Sequence, residues 1–99
     1  MSDVIRHVVI HGVVQGVGFR YWTEDVAHRH GVGGWVRNRR DGTVEAVFAG
    51  SASAVAAMIA DCKHGPSSAR VSRIDEREGT AQDLNLRGAG EAFSSLPTV

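Results

Sequence analysis

Two short stretches hold the residues whose types and spacing could do chemistry together. The first, Val14 to Arg20, reads Val-Gln-Gly-Val-Gly-Phe-Arg, and the second, Gly34 to Asn38, reads Gly-Trp-Val-Arg-Asn. Gly16 and Gly18 permit backbone conformations that aim several N–H groups at one point. Arg20 adds a planar fork of donors whose charge persists at any physiological pH. That combination suits a phosphate. Asn38 supplies a neutral amide that can orient a water molecule without titrating. By itself a glycine-rich loop is usually only a turn. This one lacks the third glycine of a dinucleotide fingerprint and the Gly-Lys-Ser/Thr end of a nucleotide P-loop.

The elements that must position these groups follow from the hydrophobic pattern. Val4 to His11 is rich in β-branched residues and reads as a central strand, with Val4, Val8 and Ile10 on one face. Gly12 to Gly18 forms the loop. Phe19, Trp22, Val26 and His30 recur at three- and four-residue steps, the stripe of an amphipathic helix that Gly31 ends. Trp35 to Arg40 and Thr43 to Ala49 read as strands flanking Asp41-Gly42, a tight hairpin whose two turn residues tolerate positive φ. Ser51 or Ser53 caps a second helix that buries Val55, Met58, Ile59 and Cys62, and Gly65-Pro66 stops it. Ala69 to Arg77 returns as a strand in which the odd spacing of Val71 and Ile74 hints at a bulge. Residues 79 to 90 read as a loop, and Phe93 and Leu96 mark a doubtful closing strand. The order suggests an α+β fold: two split β-α-β units forming an antiparallel sheet of four or five strands with both helices on one face.

The two stretches, in this order and spacing, resemble the signature of the acylphosphatase family, which couples V-x-G-x-V-Q-G-V-G-F-R to a later G-W-V-x-N. Ile10 stands where a valine is common, and Val14 to Arg20 matches in full. The resemblance continues through Asp41 to Glu45 and Gly65 to Val71, then fades after Gly79. It implies the same ferredoxin-like arrangement and hydrolysis of small acyl phosphates to a carboxylate and inorganic phosphate. The backbone of Gln15, Gly16, Val17, Gly18, Phe19 and Arg20 would hold the phosphate, the Arg20 guanidinium would pair with it, and Asn38 would position the attacking water. No metal, cofactor or phosphoenzyme is expected. Members often close with a glycine-phenylalanine pair in a regular strand, whereas this chain has Glu91 to Pro97, which leaves the last strand's pairing open.

Composition agrees with a small enzyme and excludes other classes. Ninety-nine residues, 42% of them apolar, make one domain, residues 1–99, with one modest core. Net charge is zero, which argues against a chain built to coat nucleic acid or an anionic membrane. The charge is uneven: residues 1–40 carry six arginines and three carboxylates, and residues 41–99 carry five basic and eight acidic groups. Arg37, Arg39 and Arg40 flank Asn38, either steering a small anion or forming a solvated strand end. No leader and no apolar run near the roughly 20 residues of a membrane span is evident, so a cytoplasmic monomer is expected. Cys62 is the only cysteine, which rules out an internal disulfide and reads as a small buried side chain. The five histidines form no metal motif, His7 and His11 lying too far apart along a strand for a compact site. Trp22 and Trp35 read as packing aromatics.

Two rival readings remain. An RNA-binding module on the same sheet needs exposed aromatics on central strands, and Gly42 to Phe48 lacks the paired pattern. Acylphosphatase-like modules also occur within a larger carbamoyl-transferring maturation protein, whose remainder is not in this chain.

Overall fold

The computed structural model describes residues 3–99. Strand β1 (Asp3–Val13) leads through a loop into helix α1 (Phe19–His30), then β2 (Gly33–Asn38), β3 (Val44–Ser51), α2 (Ala52–Cys62), β4 (Arg70–Glu78), a single turn of helix α3 (Ala81–Leu84) and β5 (Phe93–Ser95). The five strands form one sheet in the order β4-β1-β3-β2-β5. The α+β, ferredoxin-like arrangement expected from the pattern is therefore present.

Alternation along the strands divides the sheet into two faces. Val8 and Ile10 from β1, Val36 from β2, and Val44, Ala46 and Phe48 from β3 are fully buried in one cluster with Phe19, Val26 and Ala27 of α1 and Val55, Met58, Ile59 and Cys62 of α2. Helix α2 buries the stripe its sequence marks, whereas the buried face of α1 is Phe19, Thr23, Val26 and Ala27, with Trp22 and His30 of the expected stripe only half-buried at its margin. Gly31 ends α1 in the left-handed conformation at φ 70°, and the Ser51 side chain accepts from the Ala54 N–H to start α2. Burial pushes the Cys62 thiol up to about 12, so it stays protonated and serves packing.

Strands β1, β3 and β4 pair antiparallel, as does β2 with β3, while β5 lies parallel to β2, with Trp35 opposite Ser94. The sheet is mixed, not wholly antiparallel. Parallel pairing follows from the route of the chain, which crosses from the far edge after β4 and meets β2 running the same way. Beyond Ser95 the tail stays beside β2: Leu96 donates to the Val36 carbonyl, Val99 to that of Asn38, and Arg40 to that of Val99.

Three local features depart from the pattern or explain it. Ser72 bulges from β4 opposite the step from His11 to Gly12, since Arg73 faces His11 and Val71 faces Gly12. The extra residue restores phase, so that Val71 and Ile74, three apart, both pack against the core. In the hairpin only Gly42 takes positive φ, at 92°, and its N–H donates to the Arg39 carbonyl. The loop is therefore longer than a two-residue turn, and Asp41 instead accepts from the N–H and hydroxyl of Thr43. Residues 79–90, read as loop, contain α3. Its signal is a capping box, in which Thr80 and Asp83 satisfy each other's backbone N–H groups. Trp35 donates its indole N–H to the Asp83 carbonyl at 2.6 Å, which anchors this segment on the sheet face opposite α1 and α2.

Candidate functional site

The loop from β1 to α1 owes its shape to two glycines. Gly16 and Gly18 have φ of 72° and 80°, and nothing lies within 4 Å of a Cβ added at either. Conformation, not crowding, is what requires them. Gly18 also occupies the position before α1, where it offers no side chain to cap the helix. The first intrahelical bond in this turn is from Trp22 N–H to the Gly18 carbonyl at 3.0 Å. Those of Phe19, Arg20 and Tyr21 precede it and are left for a ligand at the positive end of the helix. No acidic residue occupies that first turn.

Arg20 is the second residue of α1, so the helix, not the loop, carries the cation. Val14, Gln15, Gly16, Gly18, Phe19, Arg20, Tyr21 and Asn38 together line one cavity of about 130 Å³. It is small beside the roughly 300–1,000 Å³ pockets that enclose drug-sized ligands, a size for a phosphoryl group and not for a large cofactor. Among the described residues, Arg20 has no salt-bridge partner. Its charge is thus available to the cavity. The Asn38 carboxamide likewise has no protein hydrogen bond there, while its backbone is held on both sides, by Val44 in β3 and by the Val99 N–H.

Gln15 does something that its sequence position does not suggest. Its side-chain amide donates to the carbonyls of Arg39 and Thr43 at 2.6 and 2.8 Å, spending both protons on the β2–β3 hairpin. With both side-chain N–H protons engaged, its backbone N–H is the donor left to face a ligand. Val17 and Phe19 turn their side chains toward the core, Phe19 fully and in edge contact with Trp22 at 5.4 Å between ring centroids. Phe19 still lines the cavity, whereas Val17, expected from the sequence to take part in binding the phosphate, is not among the residues that line it.

The arginines beside Asn38 divide. Arg37 bonds Glu45 at 2.7 Å and lies 4.7 Å over the Trp35 ring, on the side of the sheet away from α1 and α2. It is engaged by these partners on the face away from the helices. Arg40 is exposed and Arg39 half-buried. His7 reaches the other oxygen of Glu45 at 2.7 Å, His11 reaches Asp75, and His30 reaches Asp61. Among the described residues no group of three or more His, Cys, Asp or Glu side chains could hold a metal ion.

An acylphosphatase family model matches residues 6–89. The chain belongs to the acylphosphatase family. An acylphosphatase from Nitrobacter winogradskyi is 60% identical over 99 residues, all of both chains. Among solved structures, the acylphosphatase from Bacillus subtilis superimposes with a TM-score of 0.81 at 31% identity, covering 94% of this chain and 98% of that one. Full-length HypF in its phosphate- and nucleotide-bound form gives a TM-score of 0.82 at 25% identity, but the match covers only 12% of that protein. The chain thus matches the stand-alone relatives end to end and HypF in one part. Among the described residues, no helix is long and apolar enough to cross a membrane.

Proposed function

We propose that this chain hydrolyses the carboxyl-phosphate bond of small acyl phosphates by direct attack of water, with Arg20 and the backbone of residues 15–20 binding the phosphoryl group and Asn38 orienting the water. Acyl phosphate hydrolysis follows from membership of the family and from 60% identity along the whole length of a curated relative. The assignment of roles rests on one observation, the convergence of Arg20, the open first turn of α1 and Asn38 on the same cavity.

The chemistry asks little else of the protein. Water oxygen attacks phosphorus as the bond from phosphorus to the acyl oxygen breaks. The carboxylate leaves with the electron pair, and both protons of the water pass to the product as dihydrogen phosphate, which then equilibrates with solvent. A carboxylate is already stable as an anion, so no general acid has to protonate it. Phosphoryl transfer of this loose type depends on alignment and on compensating negative charge at the equatorial oxygens. Fixed N–H donors and a guanidinium supply that compensation without reorganising, and a neutral carboxamide supplies alignment.

The route is tested by hydrolysing benzoyl phosphate in ¹⁸O-labelled water and by acid-quenching the enzyme during turnover. Label in the phosphate and no phosphorylated protein is the expected result. Label in the benzoate, or a trapped phosphoenzyme, contradicts direct attack at phosphorus. A cytoplasmic monomer is in keeping with this reading.

A further inference from the structure

The phosphate cavity does not close behind Arg20. Arg20 and Tyr21 also line a cavity of about 290 Å³ with Glu24 and Ser95. Tyr21 and Glu24 in turn line a shallow groove of about 540 Å³ that runs on to His28 and Glu91. The first two share Arg20 and Tyr21 and the second and third share Tyr21 and Glu24, so the three spaces adjoin one another along α1. A bound acyl phosphate has to place its acyl group somewhere outside the small phosphate cavity, and the space lined by Arg20, Tyr21, Glu24 and Ser95 adjoins it.

Two side chains, Tyr21 and Glu24, line both of the outer spaces. Tyr21 is 81% exposed, more than any other large hydrophobic side chain among the described residues. Tyr21 lines the phosphate cavity as well as the two outer spaces, so an exposed aromatic side chain is carried beside the site. Glu24, three residues further on, shares that helix face. It is also four residues from Arg20 and opposite in charge, yet the two form no salt bridge, and among the described residues Glu24 has no salt-bridge partner. The neighbouring Asp25 is different, being paired with Arg29. A half-buried, unpaired carboxylate therefore faces the space next to the phosphate.

We infer that Tyr21 and Glu24 form the acyl-group subsite, and that it favours acyl phosphates with an uncharged, ring-bearing or cationic acyl part over those carrying a second carboxylate or phosphate. This rests on the proposed role of Arg20 and Asn38 in holding the phosphate. A second negative charge on the acyl group would meet Glu24 at close range in a partly desolvated groove, where repulsion of about tenfold in kcat/KM is expected.

The test compares acetyl, benzoyl and 4-carboxybenzoyl phosphate on the wild-type enzyme and on Glu24→Gln and Tyr21→Ala, with thermal melts to check folding. Ratios between variants cancel the intrinsic reactivity of each substrate. Glu24→Gln should raise the 4-carboxybenzoyl-to-benzoyl ratio of kcat/KM about tenfold. Tyr21→Ala should lower the benzoyl-to-acetyl ratio about fivefold, through loss of the aromatic contact. Ratios that stay at the wild-type values overturn the subsite. An equal change on every substrate also overturns it, because Glu24 would then be acting through Arg20. Wild-type enzyme that hydrolyses none of the three contradicts the functional reading itself, a result distinct from turnover without discrimination.

Discussion

The side-chain amide of Gln15 donates to the carbonyl of Thr43 at 2.8 Å, tying the loop ahead of Arg20 to the hairpin that follows Asn38. The same amide holds the Arg39 carbonyl. Two segments far apart in sequence are thereby fixed at one spacing. Each carbonyl keeps a second donor, Arg39 N–H for Thr43 and Gly42 N–H for Arg39, so neither is orphaned if Gln15 is lost. Gln15→Ala should therefore cost only about 1–3 kcal/mol of stability, two ordinary hydrogen bonds. Gln15→Glu should do more to activity, lowering kcat/KM at least about a hundredfold, because it removes both donors and sets a negative charge beside the phosphate. Kinetics and denaturant titrations check both; wild-type kcat/KM in a folded Gln15→Glu variant would contradict the clamp.

Gly34 opens the Trp-Val-Arg-Asn run of β2 at φ 132°, and a Cβ there would lie 1.8 Å from the Val47 carbonyl oxygen. No side-chain adjustment relieves a clash with backbone. Gly34→Ala should destabilise by about 3 kcal/mol or more, through both the clash and the left-handed backbone. Gly16→Ala meets open space and should cost about 1–2 kcal/mol from conformation alone. Chemical denaturation of the two variants should place them in that order, and the reverse order would count against the geometry of β2.

Glu45 is subject to opposing influences. Burial pushes its carboxyl up, but hydrogen bonds from His7 and Arg37 together outweigh burial and hold it below its ordinary 4.5. A depressed folded pKa gives stability that is present above the unfolded value and lost as pH falls through the folded one. The melting temperature should accordingly drop as pH is lowered below 4.5, part of that drop arising at Glu45. Glu45→Gln should be less stable than wild type at pH 7 by about 1–2 kcal/mol, with the gap narrowing toward pH 3. A gap that holds constant or widens in acid would exclude the ionised network.

Arg20→Lys separates charge from geometry. The substitution keeps one positive charge beside the first turn of α1 and removes the planar fork. Turnover should fall about 100- to 1,000-fold, with weaker inhibition by inorganic phosphate. For Asn38→Ala, kcat should fall steeply while inhibition by phosphate changes less, since the amide is assigned to the water. Equal losses in both measures would make Asn38 a binding residue instead.

How much of this was legible without coordinates depends on how local each signal is. Arg20 and Asn38 stand in two contiguous motifs, and the roles proposed for them come from residue type and order; the structure adds that both line one cavity. The faces of α1 and α2 follow from a helical period, and Gly31 and Ser51 from end signals within one turn of each helix. What is non-local escaped. The side chain of Gln15 meets carbonyls 24 and 28 residues away, and no spacing rule connects them. Engagement of Arg37 by Glu45 depends on the register of β2 against β3, which a single strand does not encode. The parallel pairing of the three-residue β5 is set by the route of the chain and by Phe93 stacking on Phe48, not by its own composition. The turn of α3 was the avoidable miss, since Thr80 and Asp83 have the spacing of a capping box.

The most direct measurement is hydrolysis of benzoyl phosphate by purified wild-type protein with a chelator present, beside Arg20→Ala and Asn38→Ala variants shown by their melts to be folded. Rapid turnover by the wild type, lost in both variants, is the predicted result. Absence of turnover above the spontaneous rate in the folded wild type, or turnover that survives both substitutions, would contradict the assignment of the reaction to the cavity that Arg20 and Asn38 share.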